Sequence, residues 1–122
     1  DRKNDVRELE LVNEEWDIVQ ELCDILMVLK HATTFFSRAK PNLANVIPVM
    51  DHINDCLTDK ANDVSISPAI RSSLGLAKKT LNRYYSKTDD SRTYRIAMAL
   101  HPKYKFEYFK TAKWEQEWID AA

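Results

Sequence analysis

Apolar residues recur along this chain at steps of three and four, the period of one helical face, and show no run at the step of two that marks a half-buried strand. From Asn13 onward, Trp16, Val19, Leu22, Cys23, Leu26, Leu29, Thr33 and Phe36 draw one stripe that ends at Lys40-Pro41. Ile18, Ile25, Val28 and Phe35 widen it, so the pattern predicts a long first helix covered on more than one side, with Trp16 as a core anchor. Asn13 ahead of Glu14 and Glu15 has the form of an N-cap with acids in the first turn, where the helix dipole favours negative charge. Residues 1–12 carry few anchors and are expected to fray or to extend that helix, which leaves 13–122 as a single helical domain.

A second helix is predicted from about Asn42, with Leu43, Val46, Ile47, Val49, Met50, Ile53 and Leu57 inside; Pro48 should kink or divide it. Thr58 to Ser67 reads as a polar connection, and Ser67-Pro68 as a start signal, a capping serine before a proline at the first helical position. Ile70, Leu74, Ala77, Leu81 and Tyr84 mark the inner side of a third helix, with Lys79, Arg83 and Lys87 opposite. After a break at Lys87 to Ser91, where Asp89, Asp90 or Ser91 can cap, a fourth helix runs through Tyr94, Ala97, Met98 and Leu100 until Pro102 ends or kinks it. Tyr104 to Lys110 and Ala112 to Ala122 read as two short aromatic helices or one bent helix. The expected architecture is all-α, a compact bundle of five or six helices.

Composition narrows what such a bundle can do. The 122 residues suit one core. Gly75 is the single glycine, so the Gly-rich loops of phosphate- and dinucleotide-binding enzymes are excluded. No apolar run approaches the ~20 residues of a membrane span, and the charged N-terminus is unlike a signal peptide; the reading is a soluble, intracellular chain without membrane contact. Cys23 and Cys56 lie far apart without a CxxC, neither is taken as having a histidine at ligand spacing, and His31, His52 and His101 are scattered, so reduced thiols and no metal are expected. No cofactor is implied.

Candidate chemistry is sparse. The helical pairs Glu14/Glu21, Asp17/Glu21 and Asp51/Asp55 are the crudest form of a converging carboxylate site, but none stands in a metal motif, and they read as solvated faces. No serine sits on a Gly-flanked elbow. Charge is unevenly spread: residues 1–60 carry 7 Lys and Arg against 12 Asp and Glu, and residues 61–122 carry 11 against 7. Within the basic half, Lys79, Arg83 and Lys87 form a stripe that Lys78, Arg92, Arg95, Lys103 and Lys105 extend. Neutralising phosphates with these residues would give weak, salt-dependent DNA binding, and Tyr85 and Tyr104 are candidates to stack on unpaired bases. The competing surface is aromatic: Tyr104, Phe106, Tyr108, Phe109, Trp114 and Trp118 would hold a protein partner or a second copy of the chain.

The order of segments also carries a resemblance. Glu14-Glu15-Trp16 with Leu22, Ile25, Leu26 and Leu29, then Lys40-Pro41-Asn42-Leu43 to Val46-Ile47-Pro48, then Tyr94-Arg95-Ile96-Ala97-Met98-Ala99-Leu100-His101-Pro102-Lys103-Tyr104-Lys105-Phe106 with Tyr108-Phe109, resemble the helical region of hAT-superfamily DNA transposases, the hobo and Activator class. The likeness runs from about Leu9 to Trp118. It implies part of the helical insertion that splits an RNase H-like catalytic domain, a nuclear location, a role in DNA handling or architecture, and other transposase domains as neighbours. It further implies that the acidic triad, the zinc-finger DNA-binding domain, the Arg-Trp motif and the dimerisation segment lie outside this chain, so the chain is not itself an enzyme. Trp16 does not inherit the role of the Arg-Trp motif. Where the family commonly has Leu-Asp-Pro-Arg, this chain has Leu100-His101-Pro102-Lys103, a departure that removes a carboxylate able to cap the following helix or pair with a base; by itself a histidine after a helix reads as a solvated or capping residue.

Overall fold

The computed structural model describes residues 10–38, 42–105 and 107–112. Within them the chain is all-α: α1 (Asn13–Phe36), a 3-10 turn (Leu43–Asn45), α2 (Val46–Asn62), α3 (Pro68–Asp89), α4 (Arg92–Leu100) and α5 (Glu107–Thr111).

α1 begins one residue earlier than the Asn13 signal suggests. Val12 is the cap: its carbonyl accepts the N–H groups of Glu15 and Trp16 at 3.0 Å, and the Glu15 carboxylate reaches back to the Val12 N–H at 3.0 Å. Glu15 thus supplies half of a capping box, and Asn13 is already helical. At the other end Ser37 closes the last turn on the Thr33 carbonyl through its N–H at 3.0 Å and its hydroxyl at 2.8 Å. The helix stops at Phe36; Lys40 and Pro41, the expected stop, lie outside the described residues.

The chain re-enters through the 3-10 turn, which the Asn42 side chain caps by accepting the Ala44 N–H at 2.9 Å. Pro48 is then the third residue of α2. In a first turn the N–H that proline lacks has no intrahelical partner to lose. The expected division therefore falls ahead of Pro48, between the 3-10 turn and α2. α2 runs on to Asn62, which shortens the expected connection from Thr58–Ser67 to residues 63–67. There Asp63 accepts the Ser65 N–H at 2.9 Å and its hydroxyl at 2.7 Å, and these bonds hold the Asp63 carboxyl below its ordinary range.

Ser67 and Pro68 open α3 as expected, but the Ser67 hydroxyl does no capping and has no partner among the described residues. The acceptor comes from α1 instead: Glu21 takes the Ser67 N–H on both carboxylate oxygens, at 3.1 and 3.2 Å. A carboxylate at a helix N-terminus is electrostatically well placed. Glu21 is therefore a tie between α1 and α3 rather than a solvated acid. α3 continues through Asp89, past the expected break.

α4 ends on His101, its C-cap. The His101 Nδ1 accepts the Lys103 N–H at 3.2 Å, and its carbonyl accepts Tyr104 and Lys105 at 3.1 Å. An imidazole nitrogen thus makes the bond to the residue two ahead that an aspartate makes in an Asx turn. Lys105 leaves this turn with a left-handed φ of 46°, a conformation that costs a side-chain-bearing residue of order 1 kcal/mol.

Two apolar clusters hold the helices. Ile25 of α1, Ile53 and Leu57 of α2, and Ile70 and Leu74 of α3 form one, with Val28, Ala32, Val49, Ala61, Ile66 and Leu81 packed around it. Ala44, Ile47, Met98 and Phe109 form the other, with Tyr94, Ala97, Tyr104 and Tyr108 beside them. Truncating Phe109, which is fully enclosed, to Ala is expected to cost about 3–5 kcal/mol, whereas Leu100→Ala, at a site 79% exposed, should change stability by less than about 0.5 kcal/mol. Chemical denaturation of the two variants checks this, and equal losses would contradict the placement of the second cluster.

Candidate functional site

The surface with the largest discrepancy between sequence and structure is the outer face of α1. Its expected anchors are in solvent: Trp16 is 57%, Leu26 49% and Leu22 42% exposed, with Leu29, Ile18 and Val12 also open. Ile25 is the residue of α1 that is buried, and Val28 and Ala32 pack beside it. A helix apolar on two sides can bury only the side its neighbours reach, and α2 and α3 both approach from the Ile25 side. Trp16 is thus not a core anchor. Between α1 and α3 the exposed face borders a shallow groove of about 130 Å3 whose floor is Ile25, Leu57, Ile70 and Leu74 and whose rims include Leu22, Leu26, Leu29 and Ala77.

The basic row is only partly as the sequence suggests. Lys79, Arg83 and Lys87 stand exposed on α3, one turn apart. The Lys87 ammonium lies 5.8 Å from the centre of the Tyr84 ring. Lys78 is drawn away from the row, donating to the Thr58 hydroxyl of α2 at 2.7 Å. Arg92, Lys103 and Lys105 are exposed, with Lys103 5.5 Å from the Tyr104 ring centre, and Arg95 is half-buried in α4.

The tyrosines proposed for base stacking or partner binding are tied into the bundle. Tyr85 of α3 and Tyr108 of α5 donate to the two carboxylate oxygens of Asp51, each at 2.6 Å. Tyr104 donates to the Asn45 side chain at 2.7 Å. Their hydroxyls cross-link helices, and Phe109, expected on a partner-binding surface, is fully buried instead. The reason is spacing: the turn at His101 folds α5 back so that Phe109 meets Ile47 and Met98. Phe106, Trp114 and Trp118 lie outside the described residues.

Asp51, Asp55, Tyr108, Thr111 and Ala112 line an open cavity of about 360 Å3. Burial, and then the bond to Asp51 and its negative charge, push the Tyr108 phenol well above its ordinary range. Asp51 is therefore a structural acceptor. A second cavity, of about 400 Å3, lies between α1 and α2 and is lined by Val28, His31, Ala32, Thr34, Phe35, Arg38, Val49 and His52. The His52 ring lies 3.7 Å from Cys56 Sγ at its nearer nitrogen, Nε2. That pairing was legible as an i, i+4 relation and corrects the view that neither cysteine has a histidine at ligand spacing. Among the described residues no group of three His, Cys, Asp or Glu converges to hold a metal, so the pair falls short of a zinc centre. Nor is any described helix long and apolar enough to cross a membrane.

Comparison with protein-family models, with curated proteins and with solved structures returns no match for this chain.

Because Tyr108 must stay neutral to donate to Asp51, its raised pKa adds stability that is complete below the unfolded phenol value of about 10 and is lost as pH rises above it. Thermal unfolding followed from pH 8 to 11 should show that alkaline loss. In an Asp51→Asn variant Tyr108 should ionise at lower pH, read by tyrosinate absorbance; an unchanged titration would contradict the role given to Asp51.

Proposed function

We propose that this chain is a non-catalytic helical docking module, of the kind the resemblance to the insertion region of a hAT-type transposase implies, in which the outer face of α1 holds another protein surface. The observation that carries the reading is that face. Trp16, Leu22, Leu26 and Leu29 add up to a contiguous apolar patch on one helix, and patches of that kind on soluble domains mark sites of association. The aromatic residues around α5 support it less, since Tyr104, Tyr108 and Phe109 are spent on internal packing.

A docking face contributes little to the fold that displays it. Leu22→Ser and Leu26→Ser are expected to change the unfolding free energy of dilute protein by less than about 1 kcal/mol each, while Ile25→Ala, one residue away, should cost about 2–5 kcal/mol. If Leu26→Ser is as damaging as Ile25→Ala, the face belongs to the core and the reading fails.

A second reading has its own support in the exposed row Lys79, Arg83 and Lys87, which carries no hydrogen bond or ion pair to another described residue. Three phosphate contacts would give weak DNA binding whose log affinity falls against log salt with a slope of about −2.7. A labelled duplex titrated with wild type and with the Lys79→Ala/Arg83→Ala/Lys87→Ala variant tests it. Binding that the variant retains would remove this row from any DNA contact.

A further inference from the structure

The cavity between α1 and α2 lies across the buried stripe of α1 from Leu22, Leu26 and Leu29. At about 100° per residue, Phe35 stands about 80° to one side of Ile25 and Leu26 about 100° to the other. The cavity floor is apolar: Val28, Ala32 and Val49 line it and pack against the first cluster beneath. Phe35 adds a ring that is 38% exposed. The titratable groups of the lining are all bases. Arg38, His31 and His52 are each exposed and so stand at the mouth, and no acid is among the described lining residues. They gather in the acidic half of the chain, where 7 Lys and Arg are set against 12 Asp and Glu. We infer that this cavity binds a small aromatic monocarboxylate, with its ring on the apolar floor beside Phe35 and its carboxylate at the mouth among Arg38 and the two histidines.

Shape and charge select this class of ligand. A volume of about 400 Å3 is in the range of small-molecule sites, which are mostly apolar with a few polar groups that orient the ligand. The floor side chains offer no donor or acceptor, so a ligand polar throughout its length would lose hydration there without replacement. One that is charged at a single end keeps that end at the mouth. The guanidinium of Arg38 is a planar fork that matches a carboxylate in two parallel bonds. It is held beside the aromatic wall, its Cζ 5.9 Å from the centre of the Phe35 ring. Neither Arg38 nor His31 makes a hydrogen bond or ion pair to another described residue, and His52 has only its weak contact with Cys56 Sγ. These donors are therefore uncommitted. The floor is fixed by the core it rests on, so the site is formed before a ligand arrives, and little ordering opposes binding.

The inference goes beyond the docking reading and does not depend on it, because it concerns the other side of α1. Naphthoate is the probe, titrated into the full chain at neutral pH while NMR follows the amide shifts. Saturable binding at one site is expected, with a dissociation constant of about 1 mM or below and the largest shifts at Val28, His31, Phe35 and His52. The neutral naphthyl alcohol, which has the same ring and no charge, should bind about five-fold more weakly. Arg38→Met, which disturbs no hydrogen bond among the described residues, should weaken naphthoate by about the same factor and leave the alcohol unchanged. The comparison of acid with alcohol needs no variant, so it decides the matter even where Arg38→Met fails to fold. Leu26→Ser should leave naphthoate binding as it is. Absence of saturable binding, equal affinity for the alcohol, or indifference to Arg38→Met in a folded variant overturns the inference. Shifts centred on Leu22 and Leu26 that Leu26→Ser abolishes also overturn it, and would assign the probe to the outer face of α1.

Discussion

Helix α2 is shared by both apolar clusters, and the arrangement of the other described helices follows from that one constraint. Ile53 and Leu57 face α1 and α3, while Ile47, less than two turns earlier, faces α4 and α5. Asp51 stands between these two surfaces, and its two oxygens take one tyrosine from each side, Tyr85 from α3 and Tyr108 from α5. A half-buried carboxylate is satisfied by such donors. Two phenols satisfy it while fixing the angular relation of α3 and α5 about α2, so one polar contact registers two apolar ones.

With α2 enclosed by partners, α1 is left at the edge. It reaches the bundle through Ile25 and its neighbours and through the Glu21 carboxylate, and the rest of its apolar surface faces outward. A chain of this length has too few elements to cover every helix on all sides. The outward face of α1 is thus apolar surface that the described helices leave uncovered.

Helix existence was readable from periodicity and punctuation. Ser67-Pro68 marked the start of α3, Pro102 followed the end of α4, and the core positions Ile47, Ile53, Leu57, Ile70 and Leu74 were all assigned to inner faces. What periodicity could not rank was the two sides of α1, because Trp16–Leu29 and Ile25–Ala32 are both apolar stripes, and which one is buried depends on where α2 and α3 lie. The tyrosines were unreadable for a related reason. Tyr84 and Tyr85 are adjacent on α3, and the choice of Tyr85 as the inward one is made by Asp51, 34 residues away in sequence. The likeness to hAT transposases, carried by the order of weak motifs, remains a proposal about lineage, and the docking face is argued independently of it.

The bond from Ser67 to Glu21 joins residues 46 apart in sequence, and it makes the beginning of one helix depend on the middle of another. The amide of Ser67, the residue that caps α3, points at a carboxylate that α1 delivers, and Ser67's own hydroxyl has no partner among the described residues. Lifting α1 from the bundle would strip Ile25 from its cluster and at the same moment leave the leading turn of α3 without its acceptor. Attachment of α1 and the start of α3 are thus coupled, and a load borne by the outer face of α1 reaches α3 by two routes, the Glu21 carboxylate and the packing of Ile25 on Ile70 and Leu74.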